Sequence, residues 1–358
     1  MSAHPTTPAE FPLAPRRARH HPNIDGRLPG LLLALAVACV ATTLAALLPI
    51  VGAPVLGIVL GVIIASTRKP STLFTPGIAF ASKRVLQLAV VLLGTQLSLA
   101  EIAQTGVQSL PVLLGTLAVC LLLAAWLGRL LGIPSDLRTL IGVGTGICGA
   151  SAIAAVTPVI AASELDVAFA ISTIFLFNVT AVLLFPIVGH QLGLSQHAFG
   201  VFAGTAVNDM SSVVAASTAY GAAASHTAVV VKLTRTLMII PICLGLSATV
   251  RRREKISAEP PCSGAPVHVR VLRLVPGFLL GFLALAAANS AGLIPSADHH
   301  GLSDATTLLI TVALSAVGLS IDTAGLRRTG LRPIVLGAVL WVAVALTSLA
   351  LQHVTAGV

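Results

Sequence analysis

Two short segments rich in glycine and polar residues interrupt otherwise apolar sequence, at residues 144–155 (GTGICGASAIAA) and 204–215 (GTAVNDMSSVVA). At a constant offset of 60 residues their first glycines, threonines and serines align, which indicates one motif used twice. In hydrocarbon, unwound backbone is tolerated only where protein or a water-filled cavity satisfies its N–H and C=O groups. The pair of segments therefore predicts a cavity at membrane depth.

The same segments carry groups that would bind a small anion. An interrupted helix offers free N–H groups and the positive end of a helix dipole, and both attract negative charge. Hydroxyl, amide and thiol side chains stand beside these backbone groups. The candidate substrate-binding residues in the two segments are Thr145, Gly146, Cys148, Gly149, Ser151, Thr205, Asn208, Ser211 and Ser212.

Lys232 and Arg235 lie three residues apart inside an apolar stretch, and hence on one helical face. A charged side chain at a helix centre costs about 2.5 to 3.5 kcal/mol on insertion scales, so we expect both to face a cavity or a partner. The alternative is that they lie near the outer end and extend to the interface. Because Arg235 lies about 10 Å into a helix that begins near Ala228, we prefer the cavity, where both cations would balance the charge of a bound anion.

Asp209 is the acidic residue of the second segment, and two interpretations of it stay open. It forms a structural ion pair with Lys232 or Arg235, or it is a proton or cation site that couples transport. We retain it as the candidate coupling residue. Asn178, in the apolar run between the segments, lines the cavity or, as is commoner, bonds a neighbouring helix.

The composition assigns the class of protein. Of the 358 residues, 56% are hydrophobic and 9% are charged, which is too little charge to cover a soluble fold of this size. The net charge of +9 would indicate nucleic-acid binding only if the basic residues formed one patch, and they do not. We predict an all-α polytopic membrane protein.

Apolar runs predict about eleven transmembrane segments, of which the fifth and seventh are discontinuous or re-entrant. The acidic residues Glu164 and Asp166 mildly favour spanning helices for both. The predicted segments are Gly30 to Leu48, Pro54 to Ser66, Val85 to Ala100, Leu110 to Leu130, Leu140 to Ala162, Val167 to Gly189, Ala198 to Tyr220, Ala228 to Val250, Leu274 to Ser290, Ala305 to Ile321 and Ile334 to Leu351.

Apart from Lys232 and Arg235, the basic residues fall in the N-terminal tail and in alternate loops, which the positive-inside rule places in the cytoplasm. Residues 1–29 are then a disordered cytoplasmic tail, 30–250 a membrane domain, 251–273 a basic cytoplasmic loop and 274–358 a second membrane domain that ends outside.

At an offset of 222 residues, predicted segments two to four recur as segments nine to eleven, with Pro54 aligned on Pro276 and Gly115 on Gly337. An odd number of crossings separates the copies, so we predict inverted repeats, which are characteristic of secondary transporters.

Other matches carry less weight. Gly144, Gly146 and Gly149 spell GxGxxG, but the strand and βαβ context of a dinucleotide site are missing. An intramembrane enzyme would need a nucleophile with a base, for which Cys148 with Asp209 is the candidate pair, and we expect Cys148 to be a packing residue instead. We therefore predict no enzymatic activity, no cofactor and no metal site.

Four motifs in this order, GTGICGASAIAA, FNVTAVLLFP, GTAVNDMSSVVAA and VVKLTRTLMIIP, resemble the YeiH-like family of bacterial inner-membrane proteins, which are named sulfate exporters. The resemblance runs from about Val85 to the C-terminus and is strongest over Gly142 to Pro241. It implies an inverted-repeat transporter of the sodium/proton-antiporter and bile-acid-symporter class, in which crossed discontinuous helices move against a scaffold. One feature departs from that class, since its breaks are usually separated by several spans and these by one.

Taken together, the sequence predicts a secondary active transporter in the bacterial plasma membrane that moves a small anion, such as sulfate or a sulfonate, by alternating access. The alternative is a cation-coupled carrier or an ion channel with Lys232 and Arg235 as internal counter-ions. The expected partners are the anion, a proton or sodium ion for coupling, the lipid bilayer and, as one option, a second copy in a homodimer. Nucleic acid is not expected.

Overall fold

The computed structural model describes residues 26–47, 52–67, 70–256, 277–295, 298–320 and 330–356. Across these ranges the chain forms helices and short turns without β-strands, as predicted. Residues 1–25 of the predicted tail and 257–276, most of the predicted basic loop, lie outside the described residues. The helices are α1 (Leu28–Leu47), α2 (Ala53–Thr67), α3 (Thr75–Gln96), α4 (Leu99–Leu130), α5 (Ser135–Gly146), α6 (Ala150–Ile160), α7 (Glu164–Gln191), α8 (Gln196–Ala206), α9 (Met210–Tyr220), α10 (Ala222–Leu237), α11 (Ile239–Ile256), α12 (Gly277–Ser290), α13 (Asp298–Leu319) and α14 (Leu331–Ala356).

Seven helical stretches in the described ranges are long and apolar enough to cross a membrane. They are α1, α3, α4, α7, the α10–α11 pair, α13 and α14. The second and ninth predicted segments are the shorter apolar helices α2 and α12, and each interrupted segment is a pair of short helices, α5–α6 or α8–α9. The prediction of eleven spans is therefore not confirmed.

Helix α3, which corresponds to the third predicted segment, begins earlier than the sequence predicts. Lys83 and Arg84 indicate a loop before a span that starts at Val85, yet α3 begins at Thr75 and carries both cations around a π-helical turn at Ala81–Val85. Both side chains are exposed. Long basic side chains can lie along an apolar helix while their charged ends reach water, which is why this charge pair does not end the helix.

Close contacts fix the relative directions of α4 and α14. Gly115 of α4 packs against Leu351 of α14, and Gly132, just beyond α4, lies near Arg332 at the start of α14. The two helices are therefore antiparallel.

Helix α7 runs parallel to α14. Gly337 packs against Thr173, and further along both helices the ring of Trp341 stacks on Phe185 with their centroids 5.0 Å apart. The start of α7 consequently lies on the side of the bundle where α4 ends.

Helices α8 and α9 form a re-entrant hairpin. Gly189, near the end of α7, packs against both Phe199 at the start of α8 and Tyr220 at the end of α9. The rings of Phe199 and Tyr220 stack with centroids 3.9 Å apart. Because both outer ends lie beside the end of α7, α8 enters the bundle from that side and α9 returns to it.

Helices α5 and α6 form the corresponding hairpin from the opposite side. Gly128 of α4 packs against Arg138 of α5, and Gly146 at the end of α5 packs against Leu117, so α5 runs back along α4 to about its middle. Helix α6 then leads through a short turn into the start of α7, on the side where α5 began. The preference for spanning helices is therefore corrected, because it depended on acidic loop residues, which contribute little to topology.

The helices related by the offset of 222 residues pack in exchanged pairs. Helix α2 lies along α13, with Gly61 against Gly318, and α3 lies along α12, with Gly94 against Phe282. Helix α4 packs on its own counterpart, α14. Helices α2 to α4 thus pack mainly on helices α12 to α14, and the two sets together flank the two hairpins.

Candidate functional site

The tips of the two hairpins meet inside the bundle. Between α5 and α6 the chain turns at Gly149, whose φ of +66° and ψ of −132° suit glycine and strain other residues. Between α8 and α9 the chain is extended at Val207 and Asp209. A Cβ atom at Gly149 would lie 3.2 Å from the Cβ of Asp209. The glycine therefore lets one tip touch the other.

Lys232 and Arg235 of α10 close the C-terminal ends of α5 and α8. The ammonium group of Lys232 donates to the carbonyl oxygens of Ile147, at 2.8 Å, and Val207, at 2.7 Å. Both cations are fully buried, at 0% exposure. The last carbonyls of a helix lack intrahelical partners and form the negative end of its dipole, so the cations neutralise both ends at once. The guanidinium of Arg235 donates to the carbonyl oxygens of Thr145, Gly146 and Thr205.

The carboxylate of Asp209 caps α9. It accepts a hydrogen bond from the backbone N–H of Ser212 at 2.9 Å and others from the hydroxyls of Ser211 and Ser212. The side-chain amide of Asn178 on α7 also donates to it, while the amide oxygen of Asn178 accepts from the backbone N–H of Asn208 at 3.0 Å. Neither Lys232 nor Arg235 is among these partners, so the ion pair is not formed within the described residues.

A cavity of about 280 Å³ opens beside the tips, bounded on its other side by α3 and α12. The N-terminal turns of α6 and α9 contribute Ser151 and Ser211 to its wall, and α10 contributes Lys232. On the opposite wall stand Lys83 and Gln87 of α3. The N-terminus of α9 is already capped by the carboxylate of Asp209. The N-terminal turn of α6, which has no side-chain cap among the described residues, thus lines one space together with the hydroxyl of Ser151 and two lysine side chains. Such a set of donors can hold a small anion.

Comparisons with known proteins agree on one family. A family model described as Conserved hypothetical protein 698 matches residues 29–337. A UPF0324 membrane protein of Streptococcus pyogenes serotype M6 is 46% identical over 332 residues, which are 91% of this chain and 96% of the relative. The chain belongs to this UPF0324, or YeiH-like, family of membrane proteins. A UPF0324 membrane protein of Streptococcus agalactiae serotype V is 40% identical, over 92% of this chain and 97% of the relative.

In this UPF0324 protein, all the predicted site residues gather at the hairpin tips, but only some border the cavity. Those that border it are Cys148, Ser151, Asp209, Ser211 and Lys232. Gly149 forms the turn and Ser212 the cap of α9, while Asn208 lies buried between them with its side-chain oxygen unbonded among the described residues. The remaining four lie behind the tips, in the contacts to the helix ends: Thr145, Gly146, Thr205 and Arg235.

The sequence analysis misses Lys83 as a member of the site, and it leaves the role of Asn178 open. Lys83 is assigned to a loop there, because two adjacent cations before an apolar run indicate a membrane boundary. For Asn178 the sequence leaves two interpretations, and the structure shows the commoner one, a bond between helices. Its amide joins α7 to both Asn208 and Asp209 at the second tip.

Proposed function

We propose that this protein is a secondary active transporter that moves a small anion, such as sulfate or a sulfonate, across the plasma membrane by alternating access. The observation that carries the proposal is the cavity where the N-terminal turn of α6 lies beside Lys232 and opposite Lys83. Helix N-termini bind anions through unpaired N–H groups and positive dipole ends. Buried Lys232 and exposed Lys83 add positive charge on opposite walls.

The packing of the flanking helices supports a transporter rather than a fixed binding protein. Helices α2 to α4 and α12 to α14 share an offset in sequence, and the equivalent helices α4 and α14 lie antiparallel. Inverted repeats of this kind accompany alternating access in secondary transporters, with the substrate bound at discontinuous helices. In this mechanism the hairpins move against the two sets of flanking helices, so that the cavity opens to each side in turn.

Asp209 is the proposed coupling residue. Its carboxylate lies at the cavity wall and accepts hydrogen bonds from Asn178, Ser211 and Ser212, so a change in its charge would alter how the second tip is held. Intramembrane acidic residues at such positions commonly bind the coupling proton or cation.

A second candidate function is a cation-coupled carrier or channel, and one observation favours it. Lys232 and Arg235 donate their hydrogen bonds to backbone carbonyl oxygens, as expected of internal counter-ions to the negative ends of the helices. In that case the cation at Asp209, and not an anion, would be the transported species.

The test is thermal unfolding of the purified protein with sulfate, methanesulfonate, chloride and sodium, followed by anion uptake into proteoliposomes. An anion present at 100 times its dissociation constant should stabilise the protein by about 2.7 kcal/mol. We expect Lys83→Gln to weaken that anion's binding, and Arg84→Gln, the adjacent cation outside the cavity wall, to leave it unchanged. If sodium or pH shifts the midpoint through Asp209 and no anion does, the second candidate replaces the first.

A further inference from the structure

A second cavity, of about 300 Å³, lies at the base of the first hairpin, away from the tips. It is enclosed by the last part of α4, the first part of α5 and α11. Arg129 of α4 and Arg138 of α5 line it together with the hydroxyls of Ser135 and Thr139. The transport proposal uses none of these side chains.

The charged side chains that line this cavity are all positive among the described residues. None of the described residues that line it is acidic, and Asp136, in the first turn of α5, is not part of this wall. The described hydrogen bond of the Arg138 guanidinium is a long one, 3.4 Å to the hydroxyl of Ser135. Arg129 is exposed. Two arginine side chains therefore line one space, and guanidinium groups are well suited to bind phosphate.

The rest of the wall is apolar. Leu121, Ala125, Ile242 and Leu246 extend from the two arginines along α4 and α11. Helix α4 has 32 residues, a length of about 48 Å, which exceeds the roughly 30 Å of a bilayer's hydrocarbon core. A helix longer than the hydrocarbon core extends into a headgroup region, and we expect this at the end that carries Arg129, because a charged side chain is costly within the core. There a phosphate group and an acyl chain are found side by side.

We infer that this cavity binds an anionic phospholipid, with the headgroup phosphate between Arg129 and Arg138 and an acyl chain against Leu121, Ile242 and Leu246. Basic pockets between transmembrane helices bind acidic lipid headgroups in this way. The lipid would contact α4, α5 and α11 together. It would thereby stabilise the base of the first hairpin, whose tip borders the anion cavity.

The test is native mass spectrometry of the full-length protein, titrated with phosphatidylglycerol and with phosphatidylcholine of the same acyl chains. We expect the wild type to prefer phosphatidylglycerol, and the double variant Arg129→Gln/Arg138→Gln to bind it about 30-fold more weakly, from the loss of two surface charges. The control Arg84→Gln, an exposed arginine on α3, should bind as the wild type does. Because the readout is lipid binding, it is independent of whether the protein transports an anion.

Equal binding of the two lipids by the wild type would overturn the inference, and so would unchanged phosphatidylglycerol binding by the double variant. Inorganic phosphate serves as the competing ligand. If it displaces phosphatidylglycerol at millimolar concentration, the cavity binds free phosphate in preference to the lipid, and the inference is overturned. Should the double variant fail to fold, the headgroup comparison and the phosphate competition on the wild type still decide the question.

Discussion

The ammonium group of Lys232 donates a 2.8 Å hydrogen bond to the carbonyl oxygen of Ile147, and this bond fastens α10 to the tip of the first hairpin. The same group reaches the second tip through Val207. One side chain thus holds both tips while bordering the cavity between them and α3. Arg235, one turn further along α10, repeats the arrangement deeper in the protein.

Replacing Arg235 should destabilise the fold. In Arg235→Met three buried carbonyl oxygens lose their donor, and leaving buried acceptors unpaired costs about 1–3 kcal/mol for each group. We expect a clear fall in the thermal midpoint of the purified protein, larger than for Lys232→Met, which frees two carbonyls. An Arg235→Met variant with a wild-type midpoint would contradict the role of Arg235 in holding the tips.

Gly149→Ala should be costlier than an alanine at another glycine with positive φ. At Gly149 a new Cβ meets Asp209 at 3.2 Å, and the backbone conformation is one that other residues rarely adopt. We expect a loss of about 3 kcal/mol there. Gly193, with φ +63° and nothing within 4 Å, is the matched control, for which the left-handed backbone alone costs about 1 kcal/mol. Equal shifts in the unfolding midpoints of the two variants would show that the tips do not touch.

Asp209→Asn separates capping from coupling. Asparagine caps helices about as well as aspartate, but its NH2 group cannot accept the hydrogen bond that Asn178 donates to the second carboxylate oxygen. We therefore expect a moderate fall in stability, of about 1–3 kcal/mol for the donor left unpaired. If the carboxylate couples transport, uptake into proteoliposomes should no longer depend on the proton or sodium gradient. Asp209→Ala, which also removes the cap of α9, should in addition cost about 1 kcal/mol of stability. Gradient-dependent uptake that persists in Asp209→Asn would leave the residue a structural role only.

The re-entrant hairpins predict a specific pattern of accessibility. In a cysteine-free background, single cysteines at Ser135 and Ser163 should react with a membrane-impermeant thiol reagent from one side of the membrane. A cysteine at Ser195, where α8 begins, should react from the other side. If the first interrupted segment spanned the membrane instead, Ser135 and Ser163 would label from opposite sides.

The amino-acid sequence by itself determined the class of protein, the family and the places where the helices break. Charge is too sparse for a soluble fold, and glycine-rich polar motifs stand out in apolar sequence because each has an energetic cost in hydrocarbon. For the same reason Lys232 and Arg235 could be singled out, since a cation in a span needs a partner. These are local properties, which a single stretch of chain carries with it.

Only the tertiary structure decided what those residues contact. The positive-inside rule does not determine the direction in which α7 crosses the membrane, so it cannot tell a hairpin from a spanning helix. The stacking of Phe199 on Tyr220, at the two outer ends of the second interrupted segment, shows that this segment is a hairpin. Cations in a span can pair with a carboxylate or with carbonyls, and the choice depends on where the ends of α5 and α8 come to lie. Lys83 lines the cavity because α3 continues through Lys83 and Arg84, two cations that in the sequence indicate a loop. These contacts join residues that are far apart in the chain, so local sequence patterns cannot predict them.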